Sequence, residues 1–428
     1  MKKRLLYIFL TAALMLLVVP IVGAQPSSYN TGFQVANQSS TTANIVVTYY
    51  NQDGSVNASI NDTVPANGSV TYFPIDASAG FNGSVVISSD QEVAAITNVL
   101  GDGTAFGASY ESFSTGAASV NLPLIMRGNF GFNTWFNVQN TGTGADANVT
   151  VSFAGQPTCN QSATIKPGAA ATFDQTTHTC LPAGYVGAAN ITATGADVVA
   201  TVVQTGPAQL LAYNGFTSGA PEPVMPLVQA KNFGYDTGIQ IQNTGNQQTQ
   251  VTVSYAPATA GSACTETKGI AAGASATFAL QATCLQSQFV GAASVTGNSN
   301  SQPLVAIVNQ TNFTDKGSAY NGVDPAAASE TVNFPLIMQA NFGFFTGFNV
   351  YNVGGPVTVN CTFSGAGAPA NISQPLASGS ALNAVQLGAT PYVGSATCTA
   401  AGGSIVGIAN ELGTGAGDNF FAYGGFNR

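Results

Sequence analysis

The single histidine, His178, lies in Thr176-Thr-His-Thr-Cys180, and any Ser-His-Asp hydrolase in this chain would have to be built around it. The corresponding stretches elsewhere in the chain carry no histidine, so an exposed loop residue is the expectation. Glycoside hydrolysis would need two facing carboxylates. No acid recurs through the chain, and Asp53, Asp146, Asp174, Asp236 and Asp324 mostly stand beside turn residues, where a carboxylate accepts backbone N–H bonds. Paired cysteines with one histidine fall short of four zinc ligands, and no dense Asp loop of the calcium-binding kind occurs. The chain is therefore read as non-enzymatic, with no catalytic residue, metal or cofactor. The aromatic residues remain: Phe130, Phe132, Trp135 and Phe136, then Phe233 and Tyr235, then Phe342, Phe344, Phe345 and Phe348. Rings on a sheet face can stack on sugars, with Asn and Gln supplying hydrogen bonds. The same rings can fill a contact between domains, and their repeated place near Pro123, Pro226 and Pro335 favours packing. Phe130, Phe132, Trp135, Phe233, Tyr235, Phe342 and Phe344 thus stand as ligand or interdomain contacts.

Charge narrows the field further. The chain has 428 residues with 9 Lys+Arg and 18 Asp+Glu, 6% charged, against about 25% in an ordinary soluble domain. With no basic cluster beyond the N-terminus, nucleic-acid binding by a basic surface is excluded. Met1-Lys-Lys-Arg4, the apolar run Leu5 to Val19 and the small residues Val22-Gly23-Ala24 read as a signal peptide, residues 1–24, cleaved after Ala24. The run is shorter than the ~20 residues that span a bilayer, and no transmembrane segment is expected after cleavage. The acids are scattered singly, which suits an acidic surface rather than a charged partner site.

The elements that must carry these residues are repeats. Pro123-Leu-Ile-Met126, Asn129-Phe-Gly-Phe132 and Phe136-Asn-Val-Gln-Asn-Thr-Gly142 return as Pro226-Leu-Val-Gln229, Asn232-Phe-Gly-Tyr235 and Ile239-Gln-Ile-Gln-Asn-Thr-Gly245. They return again as Pro335-Leu-Ile-Met338, Asn341-Phe-Gly-Phe344 and Phe348-Asn-Val-Tyr-Asn-Val-Gly354. Gly83, Gly187, Gly291 and Gly394, each two residues after an aromatic, recur every 103–104 residues. A third marker is Tyr213-Asn-Gly-Phe216, repeated at Tyr320-Asn-Gly322 and Tyr423-Gly-Gly-Phe426. Four tandem units follow. Alternating runs such as Val149-Thr-Val-Ser-Phe153 and Val251-Thr-Val-Ser-Tyr255, separated by Gly- and Pro-containing turns, read as half-buried strands. Seven or eight per unit point to an all-β chain of four antiparallel sandwiches of immunoglobulin type. The domains are placed at residues 25–119, 120–222, 223–331 and 332–428, in an elongated array held apart by Pro-rich junctions.

Phe136-Asn-Val-Gln-Asn-Thr-Gly142 and its copies, the turn Lys166-Pro-Gly168 and the later Gly-x-Ala strands resemble tandem Ig-like repeats of bacterial cell-surface and secreted proteins. The resemblance covers Gln25 to Arg428, concerns a strand scaffold, and implies an exported structural or adhesive role. Two cysteines in each of three units of an exported chain pair within their unit: Cys159 with Cys180, Cys264 with Cys284, and Cys361 with Cys398. The last bridge is expected either to cross the core or to join neighbouring strands. Asn-x-Ser/Thr triplets, among them Asn57, Asn61, Asn67, Asn148, Asn190 and Asn371, are glycan sites only in a host that modifies exported Asn.

The expected protein is secreted or extracellular, associated with the cell surface, and works as a spacer, adhesin, layer or filament component. Its partners would be other surface proteins, glycans or copies of itself. An array of carbohydrate- or surface-binding modules is the alternative, and an outer-membrane β-barrel the second. Val19-Pro-Ile-Val-Gly23, the first-unit counterpart of the Pro-Leu strand, would leave with the signal peptide, so the first unit is expected to expose a sheet edge.

Overall fold

The computed structural model describes residues 26–103 and 105–428, so the segment read as a signal peptide, with Val19-Pro-Ile-Val-Gly23, lies outside the described residues. The chain is all-β, with two short 3-10 turns and no α-helix among the described residues. Its strands form eight open antiparallel sheets of three to five strands, two for each sequence repeat. The barrel alternative is thereby corrected: the alternation that suits a barrel is used here by small sheets facing one another. In the second repeat the eight strands are Ser119–Arg127, Asn133–Asn140, Ala147–Phe153, Gln156–Ile165, Ala170–Asp174, Tyr185–Thr194, Val198–Gly206 and Gln209–Asn214. The first, sixth, third and fourth make one sheet; the fifth, second, seventh and eighth make the other. An immunoglobulin constant domain orders its strands ABED and CFG. Here the first strand instead lies beside the sixth and the seventh beside the second, and the third and fourth repeats copy this order.

The reason for two sheets is written in the alternation. Val120, Phe136, Val138, Val149, Ile191 and Val202, drawn from both sheets of the second repeat, form one buried cluster. Ile239, Val253, Phe289 and Val308 do the same in the third, Phe334, Phe348, Val359 and Ala396 in the fourth, and Phe33, Val35, Val47 and Tyr49 in the first. The recurrent Asn-x-Gly closes each second strand. Asn140 donates to the carbonyls of Ala145 and Ile165 (2.9 Å each) and accepts from Gly142 N–H at 2.8 Å. Asn243 and Asn352 are bonded in the same pattern.

Proline interrupts the first strand of the second, third and fourth repeats, and a tyrosine repairs it. The pairing of first and sixth strands shifts register beside Pro123, Pro226 and Pro335, because proline has no N–H for the ladder. Tyr213 from the eighth strand donates to Leu124 O at 2.7 Å and accepts from Leu124 N–H at 3.3 Å. Tyr320 makes the same two bonds to Leu227, and Tyr423 donates to Leu336 O. Burial raises the pKa of all three phenols. In the first repeat Gly83–Ser89 occupies the sixth-strand place and, among the described residues, pairs with Ala43–Asn51 alone.

The four repeats are not strung out in a row, and the expectation of an elongated array is corrected. The eighth strands, Phe106–Glu111, Gln209–Asn214, Gly317–Asn321 and Phe420–Gly424, pack one against the next, and the fourth returns to the first. Bonds run between equivalent positions. Asn214 Nδ2 donates to Glu111 O (2.8 Å), Asn321 Nδ2 to Asn214 O (2.7 Å), Gly424 N to Glu111 Oε1 (2.7 Å) and Ser109 Oγ to Ala422 O (2.9 Å). Around this hub the sheet holding the first strand of one repeat covers the seventh-strand sheet of the next. Gln204 and Asn309, both on seventh strands, exchange two amide bonds between the second and third repeats, and Gln310 and Asn410 do the same between the third and fourth. Residues that read as a polar outer surface are therefore interior: Gln204, Gln242, Gln310 and Asn349 are 0% exposed. An amide supplies both donor and acceptor, so two such faces meet without burying net charge.

Candidate functional site

Each Asn-Phe-Gly-aromatic run is the two-residue loop between first and second strands. Asn129 and Phe132 exchange both backbone bonds (3.0 and 2.8 Å), as do Asn232 with Tyr235 and Asn341 with Phe344. The loop residues have positive φ: 49° at Phe130 and 85° at Gly131, 50° at Phe233 and 86° at Gly234, 49° at Phe342 and 81° at Gly343. Two positive φ values are those of a type I′ turn, which favours Asn-Gly and is costly for a bulky side chain. Nothing packs on the three rings. Phe130, Phe233 and Phe342 are 93%, 88% and 95% exposed.

These tips point away from one end of the ring. In the second and fourth repeats the loop leans on the turn that leads into the hub strand: a Cβ on Gly206 would meet the Phe132 ring at 2.2 Å, and Thr414 N donates to Gly343 O at 3.0 Å. Those turns converge on Asp418. Its two oxygens accept from Leu210 N (2.6 Å) and Gly317 N (2.8 Å), and its own N–H donates to Ala105 O (2.8 Å), so residues of all four repeats meet there. Burial pushes Asp418 up to about 8, opposed by the two N–H donors and by Lys316. Glu411 is also pushed up to about 8 by burial, against the Thr346 hydroxyl that bonds it.

Other exposed apolar residues share this end. Phe73 follows the fifth strand of the first repeat and faces Gly32. Leu280 and Phe313 border a cleft of about 100 Å³ with Lys231 and Asp236. Leu387, 67% exposed, follows Gln386, whose N–H bonds Thr346 O. Lys231 of this cleft lies 3.3 Å from Asp236. At the opposite end of the hub a cleft of about 440 Å³ is lined by residues of all four repeats, including Glu111, Asn214, Asn321 and Gly424. Burial raises the Glu111 pKa.

The remaining aromatics of the motif have packing roles. Phe132 and Phe344 are half-buried beneath their tips, and Tyr235 is buried edge-on to Phe420 with centroids 5.3 Å apart. Trp135 is half-buried, 5.7 Å from Tyr29 of the preceding repeat. The motif thus divides into one exposed ring per loop and supporting rings, of which Trp135 and Tyr235 touch neighbouring repeats. Spacing alone does not separate these roles; the Phe-Gly pair at a two-residue loop is the signal that does.

The six cysteines form Cys159–Cys180, Cys264–Cys284 and Cys361–Cys398. Of the two geometries expected for the last bridge, the structure adopts the one between neighbouring strands, with Cys361 and Cys398 directly opposite in one sheet. His178 bonds Cys159 O at 2.8 Å through Nε2 and lies against Phe153, centroids 5.5 Å apart, so it ties the first bridge to the core.

No protein-family model matches this sequence, and no curated protein matches it. Among solved structures the chain is similar to one titled "Crystal structure of tetra-tandem repeat in extending region of large adhesion protein", at 13% identity over 92% of this chain and 93% of that one, with a TM-score of 0.11.

Proposed function

We propose that this is an exported, non-enzymatic structural protein of the cell surface or extracellular space, whose work is to attach through the Phe-bearing end of its ring. Its signal peptide is residues 1–24, and its four Ig-like domains are 25–119, 120–222, 223–331 and 332–428. The observation that carries the reading is Phe130, Phe233 and Phe342, each held at positive φ and almost wholly exposed. A folded chain gains nothing internal from such residues, and backbone strain retained at three equivalent places marks a site of use. The disulfides and the scarcity of charge suit a protein that lives outside the cell.

Carbohydrate binding is the weaker alternative. Phe has no polar handle for a sugar, and Trp135, the best stacking ring in the motif, is partly covered by Tyr29. The test is host-cell fractionation of the wild type and of a chain carrying Phe→Asn at 130, 233 and 342. Attachment to the surface fraction by the wild type and release of the variant into the medium is expected. Equal partition of the two would refute attachment through this end.

A further inference from the structure

We propose that the cleft at the other end of the hub binds a primary carboxamide, held on the backbone of Asn321 beside Gly424. The residue after the hub-strand tyrosine is Glu111, Asn214, Asn321 and Gly424 in the four repeats. Backbone groups of a strand face its two neighbours alternately. Ser112, Gly215, Gly322 and Gly425 donate back to the paired seventh strand, at Ala95, Ala200, Ala306 and Gly407 O. The N–H and C=O of the residue before each therefore turn the other way, toward the adjoining repeat.

A side chain of the adjoining repeat meets those groups at three of the four steps around the hub. Asn321 Oδ1 accepts from Asn214 N–H at 3.1 Å while its Nδ2 donates to Asn214 O at 2.7 Å. Asn214 Nδ2 donates to Glu111 O at 2.8 Å, and Glu111 Oε1 accepts from Gly424 N–H at 2.7 Å. The fourth step, from position 424 to Asn321, falls to a glycine, and no group among the described residues bonds Asn321 N–H or C=O. Asn321 and Gly424 both line the cleft of about 440 Å³. The chemistry of its ligand follows from the step next to it. An N–H and a C=O on one residue are satisfied together by a planar group with one acceptor and one donor, which at Asn214 is the Asn321 carboxamide. A carboxylate has no donor for the C=O, and an ammonium has no acceptor for the N–H. The three atoms nearest a Cβ built on Gly424 all belong to the Glu111 carboxyl group, Oε1 at 2.9 Å. That neighbour suits the second N–H of a primary amide and opposes an anion. Pro226, Val406 and Ile408 give the cleft an apolar wall for a short aliphatic body.

NMR titration of the wild-type chain tests this, with isotope at Tyr carbonyls and Asn amide nitrogens so that signals come from the Tyr-Asn pairs at Asn30, Asn51, Asn214, Asn321 and Asn352. Isobutyramide should shift the Asn321 amide proton, saturating in the millimolar range expected of so small a ligand, and leave Asn51 and Asn352 in place. Isobutyrate at the same concentrations should shift none of them. A capped Ala-Gln-Ala peptide carries the same group on a side chain, and whichever amide probe acts at the lower concentration names the source. Gly424→Asn supplies the carboxamide from the chain itself. It should shift Asn321 with no ligand present and weaken isobutyramide binding by about tenfold or more. An Asn321 signal that neither amide moves, or that isobutyrate moves equally, would overturn the proposal. So would a Gly424→Asn variant, folded by circular dichroism, that binds isobutyramide as well as the wild type does.

Discussion

The three exposed phenylalanines should be a burden on folding, and removing them should stabilise the protein. Each sits at φ near 50°, where a side chain with a Cβ costs about 1 kcal/mol or more and Asn or Gly costs less. Each is at least 88% exposed, so its replacement forfeits almost no buried area. Phe→Asn should therefore add about 0.5 to 1 kcal/mol per site, and the triple variant about 2 kcal/mol. If the repeats melt together, as a shared hub requires, unfolding some 400 residues carries an entropy of about 0.8 kcal/mol per degree. The triple variant should then melt about 2–3 °C higher in calorimetry. The same variant should lose attachment, which separates a functional residue from a structural one. A fall in Tm of several degrees would refute the reasoning, since it would mean that the rings bury surface in the folded protein.

Further consequences follow from the hub and the tyrosines. Glu411 ordinarily ionises near 4.5, but in the folded chain it keeps its proton to about 8. The native state then binds the extra proton between those values, so the stability that Glu411 contributes should be fully present below pH 4.5, fall as pH rises to about 8, and level off above. Asp418 acts in the same direction from 3.8 to about 8. Glu411→Gln installs the residue found at the equivalent positions 204 and 310, and should flatten part of that slope in a Tm-against-pH series. Tyr320→Phe, which removes the hydroxyl bonded to Leu227, should cost about 1–3 kcal/mol in urea unfolding. Cys361→Ser with Cys398→Ser opens a bridge spanning 37 residues and should cost about 3–4 kcal/mol. Small-angle scattering should give a radius of gyration of about 22 Å for the compact ring, against roughly 40 Å for four sandwiches in a row.

Much of the scaffold is legible in local chemistry alone. Alternation of Val, Thr, Ile and Phe sets which side of each strand faces a core, because side chains on a strand switch faces at every residue. Three markers recurring in one order locate the repeats, and two cysteines in each of three repeats select the pairing that the structure forms. Asn140, Asn243 and Asn352 are visible as motif residues because each must bond the same carbonyls in its own repeat.

How the repeats meet was decided only by tertiary structure. A strand buried on both faces, such as Gln209–Asn214, lacks alternation and resembles any short apolar run. Gln204 and Gln310 have the composition of a wetted surface, yet each lies between repeats, because a paired amide is satisfied equally by water or by its partner. The same ambiguity covers the aromatic motif: Phe130 and Phe132 differ by two residues and share a chemistry, but one ring is free and the other is half-buried. The difference is the sign of φ in a two-residue loop and the neighbour that the ring supplies, and neither is a property of a residue type. Sequence thus determined what each strand can bury and which cysteines can bond. The closure of four sheet pairs on one hub determined which polar faces became interior, and which three rings were left facing outward.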